Sequence, residues 1–516
     1  MHILMLAAEN DALPGGKVGG LGDVIRDLPA ALARAGHQVS VLTPGYGIFA
    51  ADGRALAAGA VNTEFCGQAE TLDLFRIRAP VEAPGVTHLA LEHPLFHAAG
   101  RGTIYTSDDQ GPFASDAHKF ALFCAAAGDV IRNGMAGKVD MLHCHDWHTG
   151  LLLLLRRYGA RYRALQDIPA VFSIHNLSMQ GTRPLWDTRS SLYGWFPDLQ
   201  ADYALIADPA FSDCVNPMRA AINLADRVHT VSPTYSREIL RPSDWSQGVV
   251  GGEGLEGDLQ RVHSEGRLFG ILNGCDYQAP VPRPAARAAL WKLIGQCLDR
   301  WVERTGTPSA AHYYGLKRLH QWQRRRTGMR PLLVSVGRLT AQKLFLLTRP
   351  HRDGSLMDSI LQRLGDGIFI MLGSGDPDYD HFFTGCMQRH ANFLYLSGYS
   401  DELANTLYST GELFVMPSIY EPCGISQMLA MRAGVPCLVH RVGGLNDTVQ
   451  HGVNGFSFGG DDLPGKLDAA LDTLDEALTL YREDPPQWRR IADAARKARF
   501  SWDRSVQAYL QHLYAP

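Results

Sequence analysis

Three short stretches have residue types and spacing suited to chemistry on a phosphate. The first is Lys17-Val-Gly-Gly-Leu-Gly-Asp23, which follows the apolar run Ile3 to Ala8 and opens a helical pattern ending near Ala35-Gly36. A strand that runs through a glycine turn into a helix leaves backbone N–H groups at the helix start, where the macrodipole favours negative charge. Gly19 and Gly20 permit close approach of a ligand to the backbone, and Lys17 offers a mobile cation, although the same pattern also describes a plain tight turn. The second stretch is Val336-Gly-Arg338-Leu-Thr-Ala-Gln-Lys343, with two cations five residues apart just past a strand end. Such a pair suits a diphosphate and would neutralise charge developing on a phosphate leaving group; in isolation it also reads as two surface cations. The third, Pro417-Ser-Ile-Tyr-Glu421-Pro-Cys-Gly424-Ile-Ser-Gln427, ends a strand with a carboxylate and then opens a helix at Cys423 and Gly424 with Ser426 in the first turn. A carboxylate beside an anion site is not buried without a polar partner, and a sugar hydroxyl would be one. The alternative is a carboxylate that merely caps the following helix.

Histidines stand at two further strand exits, His143-Cys-His145-Asp146-Trp147-His148 and His175-Asn176. His175, with Asn176 and Gly181 nearby, has the polar, close-approach setting of a reaction-centre residue, or of a capped loop histidine. His143, His145 and His148 read as neutral hydrogen-bonded side chains, and no catalytic metal is predicted. Two anion sites with a carboxylate among them, and no Ser or Cys flanked by a base, point to a nucleoside diphosphate activated at a sugar: glycosyl transfer.

The elements that must position these groups alternate short apolar runs with helical patterns, the mark of parallel sheets with crossover helices. Strands are predicted at Ile3 to Ala8, Val39 to Thr43, Met141 to His145, Ala170 to His175 and Arg227 to Val231. Residues 49–106 break this rhythm and read as an antiparallel excursion. A second series is predicted to begin near Leu268 to Leu272, with helices over Ala285 to Arg304 and Tyr313 to Arg326, the latter ending in a basic run that reads as a solvated face or an anion contact. Strands then follow at Leu332 to Val336, Ile368 to Leu372, Phe393 to Leu396, Leu413 to Met416 and Pro436 to Val439, and a helix at Trp488 to Tyr514. Doubly wound sheets bind ligands at the carboxyl ends of their strands, so two in tandem imply a cleft lined by these exits, including the Gly373-Ser-Gly375 turn.

Composition bounds the function. A chain of 516 residues exceeds one core, and a net charge of -4 argues against a nucleic-acid or anionic-membrane partner. With no leader-like N-terminus, no apolar stretch of about 18 residues and nine scattered cysteines, the expectation is a cytoplasmic protein with reduced thiols.

The motifs KVGGLGDV, HCHDWHTGLL, FSIHNLSMQG, TVSPTYSREI, GILNGCD, VSVGRLTAQK, PSIYEPCGISQ and GGLNDTV resemble, in order, those of bacterial glycogen synthases and plant starch synthases. The resemblance covers residues 1–276 and 332–502. It implies an α/β protein of GT-B fold, with two Rossmann-like doubly wound domains facing a central cleft. Residues 1–270 would be the acceptor-side, starch synthase catalytic type domain, 271–492 the donor-side domain, and 493–516 a helix packing back across them. It further implies a retaining hexosyltransferase that moves glucose from ADP-glucose to the non-reducing end of an α-1,4-glucan, with the nucleotide sugar as substrate and no cofactor. By motif, Glu421, His175, Arg338 and Lys343 match catalytic residues. Lys17, Gly19, Gly20, Asn273, Gly375, Tyr399, Cys423, Gly424, Ile425 and Ser426, together with Arg338 and Lys343, match the donor site. Glu9, Asp23, Asp146 and Asn176 match the acceptor side. The broader pattern of retaining transferases has a second acid eight positions after the first; here that position is Leu429. Front-face attack, or a short-lived covalent intermediate, would then give retention. Two departures stand out: residues 277–330 lack the usual Trp-x-Pro, and Leu344 to Gly354 replaces a Gly-led amphipathic helix with a segment carrying Pro350. They leave two alternatives beside the leading reading, a divergent glucosyltransferase using UDP-glucose or another acceptor, and a catalytically silent glucan- or nucleotide-sugar-binding protein. No motif supports a phosphorylase with pyridoxal phosphate.

Overall fold

The computed structural model describes every residue except 52, 109–110, 279, 326–328 and 516, so Arg326 of the basic run and Pro516 lie outside the described residues. The chain forms two compact units. One comprises Met1–Ser243, Gly251–Gly274 and the stretch from Ser501; the other comprises Asp244–Val250 and Cys275–Phe500.

The first unit is built on one sheet. Its strands are β1 (His2–Leu6), β2 (Gln38–Pro44), β3 (Ala55–Phe65), β4 (Gln68–Ile77), β5 (Val86–Glu92), β6 (Met141–His145), β7 (Ala170–Ile174), β8 (Arg227–Thr230) and β9 (Leu268–Gly270). They lie in the order β9-β8-β7-β6-β1-β2-β5-β4-β3, parallel except where β4 pairs with β3 and β5. The antiparallel excursion thus extends one edge of the sheet. Alternate side chains feed two cores. Ile3 and Met5 pack with α1 (Gly20–Arg34) and the C-terminal helix Trp502–His512, whereas Leu4 and Leu6 pack with α2 (Ala114–Arg132) and α3 (Trp147–Tyr158). The strand order reverses between β1 and β6, and the exits of those two strands carry Glu9 and Asp146.

In the second unit α4 (Arg287–Thr305) and α5 (Ala310–Gln323) precede a wholly parallel sheet. Its strands are β10 (Leu332–Val336), β11 (Ile368–Gly373), β12 (Phe393–Ser397), β13 (Leu413–Met416), β14 (Cys437–His440) and β15 (Phe456–Phe458), in the order β12-β11-β10-β13-β14-β15. This is the dinucleotide-fold winding, whose ligand crevice lies where the order reverses, here at the exits of β10 and β13. Arg338 follows one and Glu421 the other. Part of the predicted basic face is structural, since Arg318 donates to the carbonyls of Met387 and His390.

Several predicted boundaries move. Leu268–Gly270 does not open the second series but closes the first sheet, with Leu268 in register with Val228. The first unit extends past residue 270 to Gly274, which packs against Trp502, while Cys275 N–H bonds the Phe500 carbonyl in the second unit. Asp244–Val250 belongs to the second unit: Trp245 packs edge-on against Phe345 and Tyr420, and Lys466 Nζ donates to Gln247 O. The predicted boundary at 492/493 falls inside the helix Pro485–Lys497, and the single helix predicted over Trp488 to Tyr514 is two, because Ser501 caps a new helix by accepting from Arg504 N–H. The atypical stretch after Lys343 is a short helix, α6 (Ala341–Thr348), then a tight hairpin pairing Pro350–His351 with Gly354–Ser355, then α7 (Leu356–Arg363), closed by a Ser355/Asp358 capping box. Among the described residues no helix is long and apolar enough to cross a membrane.

Trp502, buried at the start of the C-terminal helix with its indole N–H on Asp27, ties the end of the chain to α1. Trp502→Ala is expected to cost about 3–5 kcal/mol, read as a lower midpoint in thermal unfolding; an unchanged midpoint would show that the helix contributes nothing to the first unit.

Candidate active site

In the first unit the turn after β1 is organised by Glu9. Its carboxylate, only 3% exposed, accepts the N–H groups of Val18 (2.8 Å) and Gly19 (2.6 Å) and the hydroxyl of Tyr105 (2.8 Å). Donors that the sequence pattern assigns to a bound phosphate are therefore held by the chain's own carboxylate, and Glu9 is buried in the turn. Lys17 Nζ sits on Asp23 at 2.6 Å and near Asp11, and Arg26 pairs with Asp11, Asp23 and Asp27. Gly20 begins α1, which has no side-chain cap, so its first turn keeps donors for a ligand.

The β6 and β7 exits meet at Asp146. Its carboxylate accepts the backbone N–H of His175 at 2.7 Å and that of Asn176. Burial, assisted by the charge of Glu9, raises this carboxyl to about 7 against the pull of the two amides. His175 Nε2 lies 3.0 Å from His145 Nδ1, and burial lowers His175 to about 3. It is thus a neutral hydrogen-bonding group and not a titrating acid or base near pH 7.

Beneath these residues runs a buried chain of polar contacts: Tyr514 hydroxyl to His143 Nδ1 (2.6 Å), His143 Nε2 to Ser173 Oγ (2.7 Å), Ser173 Oγ to His229 Nδ1 (2.8 Å) and His229 Nε2 to Ile271 O (3.3 Å). The carbonyl can only accept, which assigns every tautomer in turn: His229 carries its proton on Nε2, Ser173 donates to His229, His143 donates from Nε2, and Tyr514 donates to His143. The His143 ring stacks on His145 at 4.1 Å, so Tyr514, just past the end of the C-terminal helix, reaches His175 through two rings. His143 and His145 are hydrogen-bonded core residues, as their sequence setting predicts, whereas His148 is buried with its Nδ1 unpartnered among the described residues; among the described residues no group of three His, Cys, Asp or Glu is arranged to hold a metal. Asn273 lies on the loop after β9, buried with its Oδ1 unpartnered among the described residues.

In the second unit Lys343, in the first turn of α6, pairs with Glu421 Oε2, which also accepts from Ser418 Oγ at 3.0 Å. Glu421 is 5% exposed. Its loop is clamped from behind: Gly444 N–H donates to Glu421 O, and at Gly443, with φ near +43°, a Cβ would collide with that same carbonyl. Arg338 is exposed and has no ion pair among the described residues, which leaves its fork available. Gly375 lies beside it; φ is +152° and a Cβ would sit 2.5 Å from Leu339 O. Cys423 to Ile425 lead into α8 (Ser426–Arg432), which has no side-chain cap, and Ser426 Oγ accepts from Tyr408. Tyr399, at the exit of the edge strand β12, exposes its ring and donates to Asp401. The second unit therefore gathers Arg338, Lys343, Gly375, Glu421 and the 423–426 turn at strand exits, with Tyr399 on the outer one. Tyr105, Ser173, His229, Tyr514 and Ser418 are missed by the sequence patterns; only Ser418, three residues before Glu421, had a local signal.

The starch synthase catalytic domain family model matches residues 2–261, and the glycosyl transferases group 1 model matches 330–476. Glycogen synthase of Streptococcus equi subsp. equi is 33% identical over 531 residues, covering 99% of this chain and 98% of that protein. Glycogen synthase of Streptococcus gordonii is 34% identical over 538 residues, with 99% and 98% covered. Among solved structures, the catalytic domain of starch synthase IV from Arabidopsis thaliana, bound to ADP and acarbose, aligns with a TM-score of 0.75 at 28% identity, covering 99% of this chain and 98% of that one. Sucrose-phosphate synthase from Thermosynechococcus elongatus, at 16% identity and a TM-score of 0.56 with both chains fully covered, shares the fold.

The Asp146 carboxyl gives a pH test. Its folded value of about 7 lies above the unfolded value, so its contribution to stability is full below the unfolded pKa, about 4, and is lost as pH rises to about 7. Asp146→Asn keeps an acceptor for the His175 amide but cannot ionise. Its thermal midpoint relative to wild type is expected to improve from pH 5 to pH 8; a constant difference would place the titration elsewhere.

Proposed function

The chain belongs to the glycogen and starch synthase family of glycosyltransferases, and from that premise we propose that it transfers glucose from ADP-glucose to the non-reducing end of an α-1,4-glucan with retention of configuration. The observation that carries this reading is the Lys343–Glu421 pair at the β10 and β13 exits, with Arg338, exposed and without an ion pair among the described residues, also just past β10. A cation that already sits on a carboxylate can move to an incoming diphosphate, and the carboxylate can then accept from sugar hydroxyls, so neither group is left buried and alone.

In this account Arg338 and Lys343 hold the diphosphate and stabilise the charge that grows as it leaves, helped by the backbone around Gly424 to Ser426 and by Gly375. Tyr399 offers a ring to the base. ADP as the nucleotide is supported by the ligand of the starch synthase IV relative. Glu421 fixes the transferred glucose. Lys17, the first turn of α1 and Asn273 complete the donor contacts, His175 supplies a neutral hydrogen bond to the glucose, and Asp23, Asp146 and Asn176 serve the acceptor. The acceptor hydroxyl attacks the anomeric carbon on the face from which the diphosphate departs; the C–O bond to phosphate breaks as the new glycosidic bond forms, and a leaving phosphate oxygen takes the hydroxyl proton. Positioning and charge stabilisation then do the catalytic work, and no cofactor enters. Nine cysteines, all free, accord with a cytoplasmic setting.

Release of nucleoside diphosphate from ADP-glucose, and separately from UDP-glucose, with and without glycogen, tests the reading. Glycogen-dependent release from ADP-glucose is expected; folded protein inactive with both donors would contradict it. Glu421→Ala is expected to lower kcat by at least about a hundredfold with a much smaller effect on the thermal midpoint, whereas a midpoint drop that accounts for the activity loss would make Glu421 structural.

A further inference from the structure

Asp244–Val250 joins the second unit although the chain on either side of it belongs to the first. The loop is closed on itself: Asp244 N–H bonds Val249 O at 2.8 Å, Val249 N–H bonds Asp244 O at 2.9 Å, and the Asp244 carboxylate accepts Ser246 N–H at 3.0 Å. It is also anchored. Lys466, only 4% exposed, donates its Nζ to Gln247 O at 2.7 Å, a charge-assisted bond, and the Val250 side chain joins the second unit's core. Gly248, with φ near +63°, lies so close to Ile419 that a Cβ would sit 3.0 Å from Ile419 Cδ1. The aromatic side chain that this framework presents is Trp245, and none of the roles above uses it.

The indole lies against both elements of the Lys343–Glu421 pair. It meets Phe345, on α6 two residues past Lys343, edge-on at 6.0 Å, and Tyr420, next to Glu421, edge-on at 6.3 Å. Residues two apart on an α-helix project about 200° from one another, so Trp245 grips α6 from the side away from Lys343. The Arg349 guanidinium also covers the Phe345 ring, 4.3 Å from its centroid. α6 is tied to the Glu421 loop in two further ways, by the backbone bond from Ile419 N–H to Gln342 O (2.9 Å) and by the Lys343–Glu421 pair itself. The proposed reaction breaks the second tie, because Lys343 leaves Glu421 for the incoming diphosphate. Cation and carboxylate must then keep their spacing without their own bond, and a misplacement of about 1 Å can cost on the order of a hundredfold in rate. We propose that Trp245 is a positioning residue that braces α6 against the Glu421 loop and holds Lys343 at the donor phosphates once the ion pair has opened. This rests on the reading of Lys343 as a donor-phosphate ligand.

The test is titration of ADP onto the full-length chain carrying Trp245→Ala, Trp245→Phe, Lys343→Ala, or Trp245→Ala together with Lys343→Ala. Trp245→Ala is expected to bind ADP roughly three- to tenfold more weakly than wild type, the scale of a lost aromatic contact. Trp245→Phe keeps a ring between Phe345 and Tyr420 and is expected to recover most of that loss. The double variant is expected to bind no more weakly than Lys343→Ala alone, since a brace that acts through Lys343 has nothing left to position. Wild-type affinity in Trp245→Ala, losses that multiply in the double variant, or a Trp245→Phe variant no better than Trp245→Ala would each overturn the proposal and leave the donor reading standing. A Lys343→Ala variant that binds ADP like wild type would overturn the donor reading and the proposal with it.

Discussion

A carboxylate taken out of water must be met by donors, and that constraint shapes the strand exits of both units. Glu9, Asp146 and Glu421 are 3%, 7% and 5% exposed. Glu9 gathers the backbone of the glycine turn, Asp146 gathers the backbone after β7, and Glu421 gathers Lys343 and Ser418. Each loop is held in shape by the carboxyl group it surrounds. All of these groups stand where the strand order of a doubly wound sheet reverses, and parallel strands are buried on both faces, so their exits are where polar side chains collect.

The second consequence concerns protons. His143, His145, His175 and His229 are all pushed toward the neutral form by burial. A hydrogen-bonded chain running from Tyr514 to the Ile271 carbonyl assigns the tautomers of His143 and His229, and Tyr514, just past the C-terminal helix, thereby becomes part of the polar layer under His175. A site equipped with neutral imidazoles orients hydroxyls and does not draw protons from them, which suits a transfer in which the leaving phosphate removes the proton.

Much of this was legible in the sequence. Met141–His145, Leu332–Val336 and Leu413–Met416 are apolar runs whose ends are marked by the polar residues of the exits, and the structure reproduces the predicted bounds. The helix that carries Lys343 ends at Thr348, two residues before Pro350. What was not legible depends on contacts distant in sequence. Leu268–Gly270 is a strand like any other until its partner Val228 is known. Asp244–Val250 carries no composition signal for the second unit; Trp245 finds Tyr420 only in the fold. The glycine turn looks free to bind an anion because nothing local shows that Glu9 already fills it, and Tyr514 lies 371 residues from its histidine.

On the proposed function Lys343 is parked on Glu421 and moves to the donor phosphate. Titration of ADP onto wild type, Lys343→Ala and Glu421→Gln tests it most directly. Glu421→Gln removes the competing anion and is expected to bind ADP at least as tightly as wild type, while Lys343→Ala binds it about tenfold or more weakly, the worth of one charge-assisted contact. Equal weakening in both variants would mean that the pair is a structural unit and that the phosphate is held elsewhere.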